Sequence, residues 1–153
     1  MEKIRVKHNI PLCNFTTWHI GGPAEWIGQP KKIEEIKYLI NWTNKKKIPC
    51  NIFGAGSNLL INDEGIKGLS LCMRNFKGIQ IDKNNGIIEV LSGEMLPTLA
   101  RKAAASGLHG LEWAVGIPGT IGGAVVMNAG AQEHSISSYI ESITTLSLTG
   151  ECN

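Results

Sequence analysis

The stretch that most constrains this chain is Gly116 to Ala131, GIPGTIGGAVVMNAGA, with glycines at 116, 119, 122, 123 and 130 and small alanines between them. Such a run has too little side-chain bulk to build a core. What it offers is backbone: close approach, unusual dihedrals, and peptide N–H groups left to face something else. Two readings follow. One is a tightly packed glycine-rich turn between two elements. The other is a cradle for a flat or phosphorylated ligand.

The rest of the composition limits what surrounds this stretch. A length of 153 residues is room for one ordinary domain, or for two small ones sharing a core. Apolar residues make up 42% and charged residues 18%, enough to bury a core and too few charges for disorder. The net charge of +2 gives no field that would draw a nucleic acid or an anionic membrane surface. Neither is expected as a partner. Lys45-Lys46-Lys47 reads as the solvated end of a helix.

The cysteines, Cys13, Cys50, Cys72 and Cys152, form no Cys-x-x-Cys pair. The histidines, His8, His19, His109 and His134, have no neighbour at metal-ligand spacing, so no metal site is expected. No run approaches the roughly 20 apolar residues of a membrane span, and Met1 to Asn14 lacks the apolar stretch of a signal peptide. A reducing cytoplasm is the expected compartment.

Met1 to Asn14 is expected to be an irregular lead-in. Ala24 to Gly28 reads as a short strand. From Lys31 to Lys47, Ile33, Ile36, Leu39, Ile40 and Thr43 recur on one helical face, with Pro30 at the start and Pro49 at the close. Cys50 to Phe53 reads as a strand, completing a small βαβ unit, and Gly68 to Met73 as another. Ile79 and Ile81 alternate with polar residues before Asn84-Asn85-Gly86, a hairpin turn from which Ile87 to Val90 returns. Pro97 to Ser106 reads as a helix stopped by Gly107. Near the end, Ile143, Thr145, Leu146 and Leu148 read as the first strand of a hairpin turning at Thr149-Gly150, so the chain is expected to stop inside a domain. The pattern changes near Phe76 to Gly78, where a subdomain boundary is expected.

Gly54 to Asn58, GAGSN, is the second candidate site. It follows a strand and meets the first half of a dinucleotide fingerprint. The third glycine position falls on Leu59, however, and the following LLIND does not read as a helix. Without a helix N-terminus to face a pyrophosphate, the Rossmann reading fails. A nest of backbone N–H groups with Ser57 and Asn58 as side-chain donors remains, beside the plainer reading of a tight loop. The tryptophans Trp18, Trp26, Trp42 and Trp113 are expected in core or rim packing.

Taken together, FTTWHIGGPAE at Phe15 to Glu25, FGAGSNLLIND at Phe53 to Asp63 and LEWAVGIPGTIGGAVVMNAGA at Leu111 to Ala131 closely resemble the UDP-N-acetylenolpyruvoylglucosamine reductases. These are FAD enzymes of early peptidoglycan synthesis. The resemblance covers nearly the whole chain. It implies an α+β fold of the kind shared with vanillyl-alcohol oxidase and p-cresol methylhydroxylase, in which two subdomains clasp an extended FAD. On that basis 1–76 is expected to be the first subdomain and 77–153 a truncated second one, with the substrate domain absent.

The resemblance further implies that the FAD pyrophosphate lies against Gly54, Ala55, Gly56, Ser57, Asn58 and Leu59. It implies that Pro118, Gly119, Thr120, Gly122 and Gly123 surround the cofactor, with Asn128, Ala129 and Gly130 nearer the flavin. The family moves hydride from NADPH through FAD to the enolpyruvyl double bond of a UDP-sugar, using a serine or cysteine, a glutamate and an arginine. The arginine usually follows a tyrosine, but Tyr38 and Tyr139 precede Leu39 and Ile140, so no residue of this chain takes a catalytic role by resemblance. One departure is Gln132, which stands where many members carry an aromatic residue. An FAD-binding fragment, inactive by itself, is therefore expected. The alternatives are a stand-alone cofactor- or nucleotide-binding module and an oxidase of the same fold with FAD on a histidine, His19 being the one near the first motif.

Overall fold

The computed structural model describes residues 6–147. A first sheet is formed by β1 (Lys7–Pro11), β2 (Pro23–Gly28), β3 (Cys50–Phe53) and β4 (Ile66–Cys72) in the order β1-β2-β4-β3. Strand β4 runs parallel to both neighbours, and β1 is antiparallel to β2. A central parallel strand is covered on both faces and so tolerates a nearly continuous apolar run. IKGLSLC fits that place: Leu69, Ser70, Leu71 and Cys72 are fully buried.

Helix α1 (Ile33–Lys46) covers one face, packing Ile36, Leu39 and Ile40 on Leu69 and Leu71. Glu34 and Glu35 in its first turn and Lys45 and Lys46 in its last suit the macrodipole. The other face holds Leu12, Ala24, Ile27, Ile61 and Cys72. Ala24 and Ile27 are three residues apart and would point to opposite faces of a regular strand. A register shift between Ala24 and Trp26 brings both to the same side and sends Trp26 to the α1 side.

The expected βαβ unit is present but split, since β4 inserts between β2 and β3. The irregular lead-in is also revised. Lys7–Pro11 is a strand, held at the sheet edge by pairing with β2 although its own residues are mostly exposed. Helix α1 begins at Ile33, so Pro30 precedes it and packs as a fully buried side chain.

A second core follows. The expected hairpin of β5 (Ile79–Asp82) and β6 (Ile87–Val90) is present, with Ile79 opposite Val90 and Asp82 opposite Ile87. The Asp82 carboxylate accepts from the Asn84 N–H, the Asn85 N–H and Asn85 Nδ2, which shapes the turn. Helix α2 (Leu96–Ala105) presents Leu96, Leu99 and Ala100 to Trp113, Ala114, Ile121, Ala124 and Ile136. Helix α3 (Ile121–Met127) and the short hairpin of β7 (Gly130–Ala131) and β8 (His134–Ser135) complete this half. The expected strand after Ile143 is reduced to a single bridge position at Leu146, which packs back on the first core. Leu148 and Thr149-Gly150 lie outside the described residues.

Candidate functional site

The GAGSN loop leaves the end of β3, and its carbonyl groups fix its orientation. The Cys72 thiol points at the Gly54 carbonyl at 3.9 Å. Arg74 Nη2 donates to the Ala55 carbonyl and, at 3.0 Å, to the Phe15 carbonyl. The Thr17 N–H donates to the Gly56 carbonyl at 3.3 Å. In a trans peptide the N–H points opposite to the C=O of the same plane. The N–H groups of Ala55, Gly56 and Ser57 are therefore turned away from Cys72, Arg74 and Thr17. Among the described residues, none of these three N–H groups makes a hydrogen bond. Successive outward donors of this kind suit an anion.

Glycine at 56 is required twice over. Its φ of +69° lies in the left-handed region, and a Cβ there would overlap the Phe15 carbonyl and stand 3.0 Å from Thr16 Cα.

The second glycine stretch is built differently. Thr120 is the N-cap of α3 and is buried; its Oγ1 accepts from the Gly123 N–H at 3.4 Å. The Ile121 N–H donates to the Glu94 carbonyl and the Gly122 N–H to the Ser92 carbonyl, both at 2.8 Å. The Leu96 N–H returns a bond to the Gly119 carbonyl at 3.0 Å. The first N–H groups of α3 are thus occupied within the fold. This stretch offers close backbone approach; its 121–123 amides are spent, whereas the Gly119 and Thr120 N–H groups, like those of 55–57, make no hydrogen bond among the described residues.

The two stretches, far apart in sequence, meet. Ser57 Oγ donates to the Pro118 carbonyl at 3.2 Å. A Cβ placed on Gly54 would lie 3.0 Å from Thr120 Cβ and 3.1 Å from its Cγ2, with Oγ1 closer still. A Cβ on Gly119 would lie 3.3 Å from Ser57 Oγ. Gly54, Ser57, Pro118, Gly119 and Thr120 therefore share one seam. Asn58 and Leu59 continue the first loop, and Leu60 beside them is 82% exposed.

Beyond α3, Asn128 closes the helix with φ +44°, and its Oδ1 accepts from the Ser137 N–H at 3.2 Å. Ala129 and Gly130 run into β7. Gln132, in the place of the usual aromatic, and Glu133 form the two-residue turn to β8, both left-handed, with φ +53° and +66°. His134 Nδ1 lies 2.8 Å from the Tyr139 hydroxyl, and the Tyr139 ring is beside Trp113. Trp113 is buried as expected, whereas Trp18 is 70% exposed and packs in no core. The residue that sequence reasoning missed is Arg74. It follows a buried strand as a lone basic residue, and no motif or periodicity marks it. Burial pushes the Cys72 thiol up, and the neighbouring Arg74 opposes that shift.

A family-wide profile described as FAD binding domain matches residues 24–152. The chain belongs to this FAD binding domain family. Within it, the chain is 86% identical over 151 residues to a Prochlorococcus marinus (strain NATL2A) protein named UDP-N-acetylenolpyruvoylglucosamine reductase, spanning 99% of this chain and 52% of that protein. It is 56% identical to the protein of that name from Prochlorococcus marinus (strain MIT 9313), over 99% of this chain and 49% of the relative. The chain spans about half the length of the curated relatives it matches.

Among solved structures it resembles a Thermus caldophilus UDP-N-acetylenolpyruvylglucosamine reductase, with TM-score 0.70 and 35% identity over 87% of this chain and 46% of that one. A glucose dehydrogenase, the Phl p 4 N158H variant, shares the fold alone, with TM-score 0.69 at 10% identity over 95% of this chain and 31% of the other. The expected family resemblance and the α+β FAD-binding fold are both borne out. Among the described residues no helix is long and apolar enough to cross a membrane.

Proposed function

We propose that this chain is the FAD-holding part of a reductase that converts UDP-N-acetylglucosamine enolpyruvate to UDP-N-acetylmuramate in the cytoplasm, with NADPH as the hydride source. The observation that carries this reading is the seam between GAGSN and the 118–123 stretch, with three outward N–H groups on one side and close-packed backbone on the other. A diphosphate needs donors without side-chain obstruction, and that seam supplies them.

The residues fit an FAD group. Ala55, Gly56 and Ser57 would give backbone N–H donors to the diphosphate, with Gly54, Asn58 and Leu59 framing the loop. Pro118, Gly119, Thr120, Gly122 and Gly123 would form the facing wall, and Asn128, Ala129 and Gly130 would lie nearer the isoalloxazine. FAD, when bound, supplies the hydride-carrying centre. The chain's own residues bind and orient it, and none of them is assigned to proton transfer. Residues 1–76 and 77–153 act in this reading as two subdomains of the clasp.

The test is to express the chain, add FAD, remove the excess, and record the absorption spectrum and the quenching of flavin fluorescence. A retained stoichiometric flavin is the expected result. A folded chain that retains none would overturn the reading that this part holds FAD by itself. For the reaction, the whole protein should oxidise NADPH only when the enolpyruvyl UDP-sugar is present. Oxidation that does not respond to the UDP-sugar would refute the substrate.

A further inference from the structure

We infer that Arg74 is a positioning residue for the diphosphate: it holds the GAGSN loop with its N–H groups facing the ligand before the ligand arrives. The inference rests on the FAD reading above. Arg74 Nη2 carries two N–H donors, and the two acceptors are the Phe15 and Ala55 carbonyls. One nitrogen thus ties the segment before Thr16 to the middle of the loop. Because the Ala55 carbonyl is held toward the guanidinium, the Gly56 N–H of the same peptide plane points away from it.

Without that tie the Ala55–Gly56 peptide is free to rotate, since glycine tolerates both orientations. The donor would then have to be reoriented at the moment of binding, and affinity falls by the cost of that ordering. The positive charge beneath the loop acts in the same direction. It withdraws the carbonyl dipoles from a dianionic ligand and adds favourable long-range attraction.

Arg74 sits on the segment Met73–Asn75 directly after the fully buried end of β4. Its base is anchored by the central strand, so the tie does not depend on the cofactor.

The experiment measures FAD dissociation constants by flavin fluorescence for the wild-type chain and for Arg74→Met, Arg74→Lys and Arg74→Gln. Each is measured at a temperature where circular dichroism shows the cofactor-free variant to be folded. Met removes both donors. Gln stops two atoms short of the Ala55 carbonyl but remains hydratable. Lys keeps a charged donor one atom short. The expected result is a loss of about tenfold or more for Arg74→Met and Arg74→Gln, the size of a charge-assisted bond, with partial recovery in Arg74→Lys.

A merely structural role would lower the cofactor-free melting temperature and leave the affinity of the folded fraction alone. Wild-type affinity in either folded Met or Gln variant would overturn the inference while leaving the FAD reading intact. A wild-type chain that takes no FAD would remove the FAD reading and this inference with it.

Discussion

Gly54→Ala is the sharpest perturbation of the seam. The added methyl group would stand 3.0 Å from Thr120 Cβ and 3.1 Å from Thr120 Cγ2, and closer to Oγ1. Thr120 cannot simply rotate away. It is buried, caps α3, and bridges to Met95 in a short antiparallel contact. The backbone of one stretch must therefore move. Overpacking of this kind costs about 1–3 kcal/mol. For a chain of this size that is a fall in melting temperature of roughly 2–12 °C.

Thr120→Ala removes Oγ1 and Cγ2 and by itself loses a helix cap, about 0.5–2 kcal/mol. In the double variant two of the three clashing atoms are gone. The combination should be less destabilised than the sum of the single changes, by about 1 kcal/mol or more, as expected for residues in contact. Urea unfolding followed by circular dichroism gives all four values. Strict additivity would refute the contact. A Gly54→Ala variant as stable as wild type would refute the overpacking argument.

Three further outcomes are expected. Ser57→Ala removes the 3.2 Å bond to the Pro118 carbonyl but leaves the Ser57 N–H in place; it should cost about 0.5–1.5 kcal/mol in urea unfolding and weaken FAD less than Arg74→Met does, and the reverse order would sink the division of labour. Glu133→Gly places glycine at a left-handed position of the β7–β8 turn and should raise stability by about 1 kcal/mol, read from the melting temperature; no gain would show that the turn is held by its surroundings and not by its own backbone preference. Burial pushes the Cys50 and Cys72 thiols above their ordinary value of 9.0. The folded chain then holds those protons longer than the unfolded one, so their contribution to stability is constant below that value and falls as pH rises above it. A Cys50→Ala, Cys72→Ala double variant should flatten this alkaline fall; an unchanged slope would assign it to other groups.

Much of the fold was legible because its signals are local. The α1 face, Ile36, Leu39, Ile40 and Thr43, is buried as its spacing predicts. The β5–β6 hairpin turns at Asn84-Asn85-Gly86, where turn chemistry and strand alternation agree. Strand β1 was illegible because its residues carry no alternation, and only its pairing with β2 makes it a strand. The same holds for α3, where a run of IGGAVVM gave no helix signal; its start is set by the Ile121 and Gly122 N–H bonds to the Glu94 and Ser92 carbonyls and by the Thr120–Met95 bridge. Trp18 shows the converse. An aromatic residue suggests burial, but whether a neighbour covers it is decided by distant elements.

The sequence by itself marked the two stretches where backbone comes close: a Cβ at Gly54, Gly56, Gly122 or Gly130 would run into a neighbour, whereas at Gly116 it would meet nothing within 4 Å. It also determined that the GAGSN loop opens no helix, which excluded a Rossmann cradle. Tertiary structure alone decided which amides of those stretches stay free as donors. The 121–123 amides are spent on Glu94, Ser92 and Thr120, while those of 55–57 are left outward by Cys72, Arg74 and Thr17. The physical reason is that a peptide group's direction is fixed by the partner of its carbonyl, and here those partners come from elsewhere in the chain.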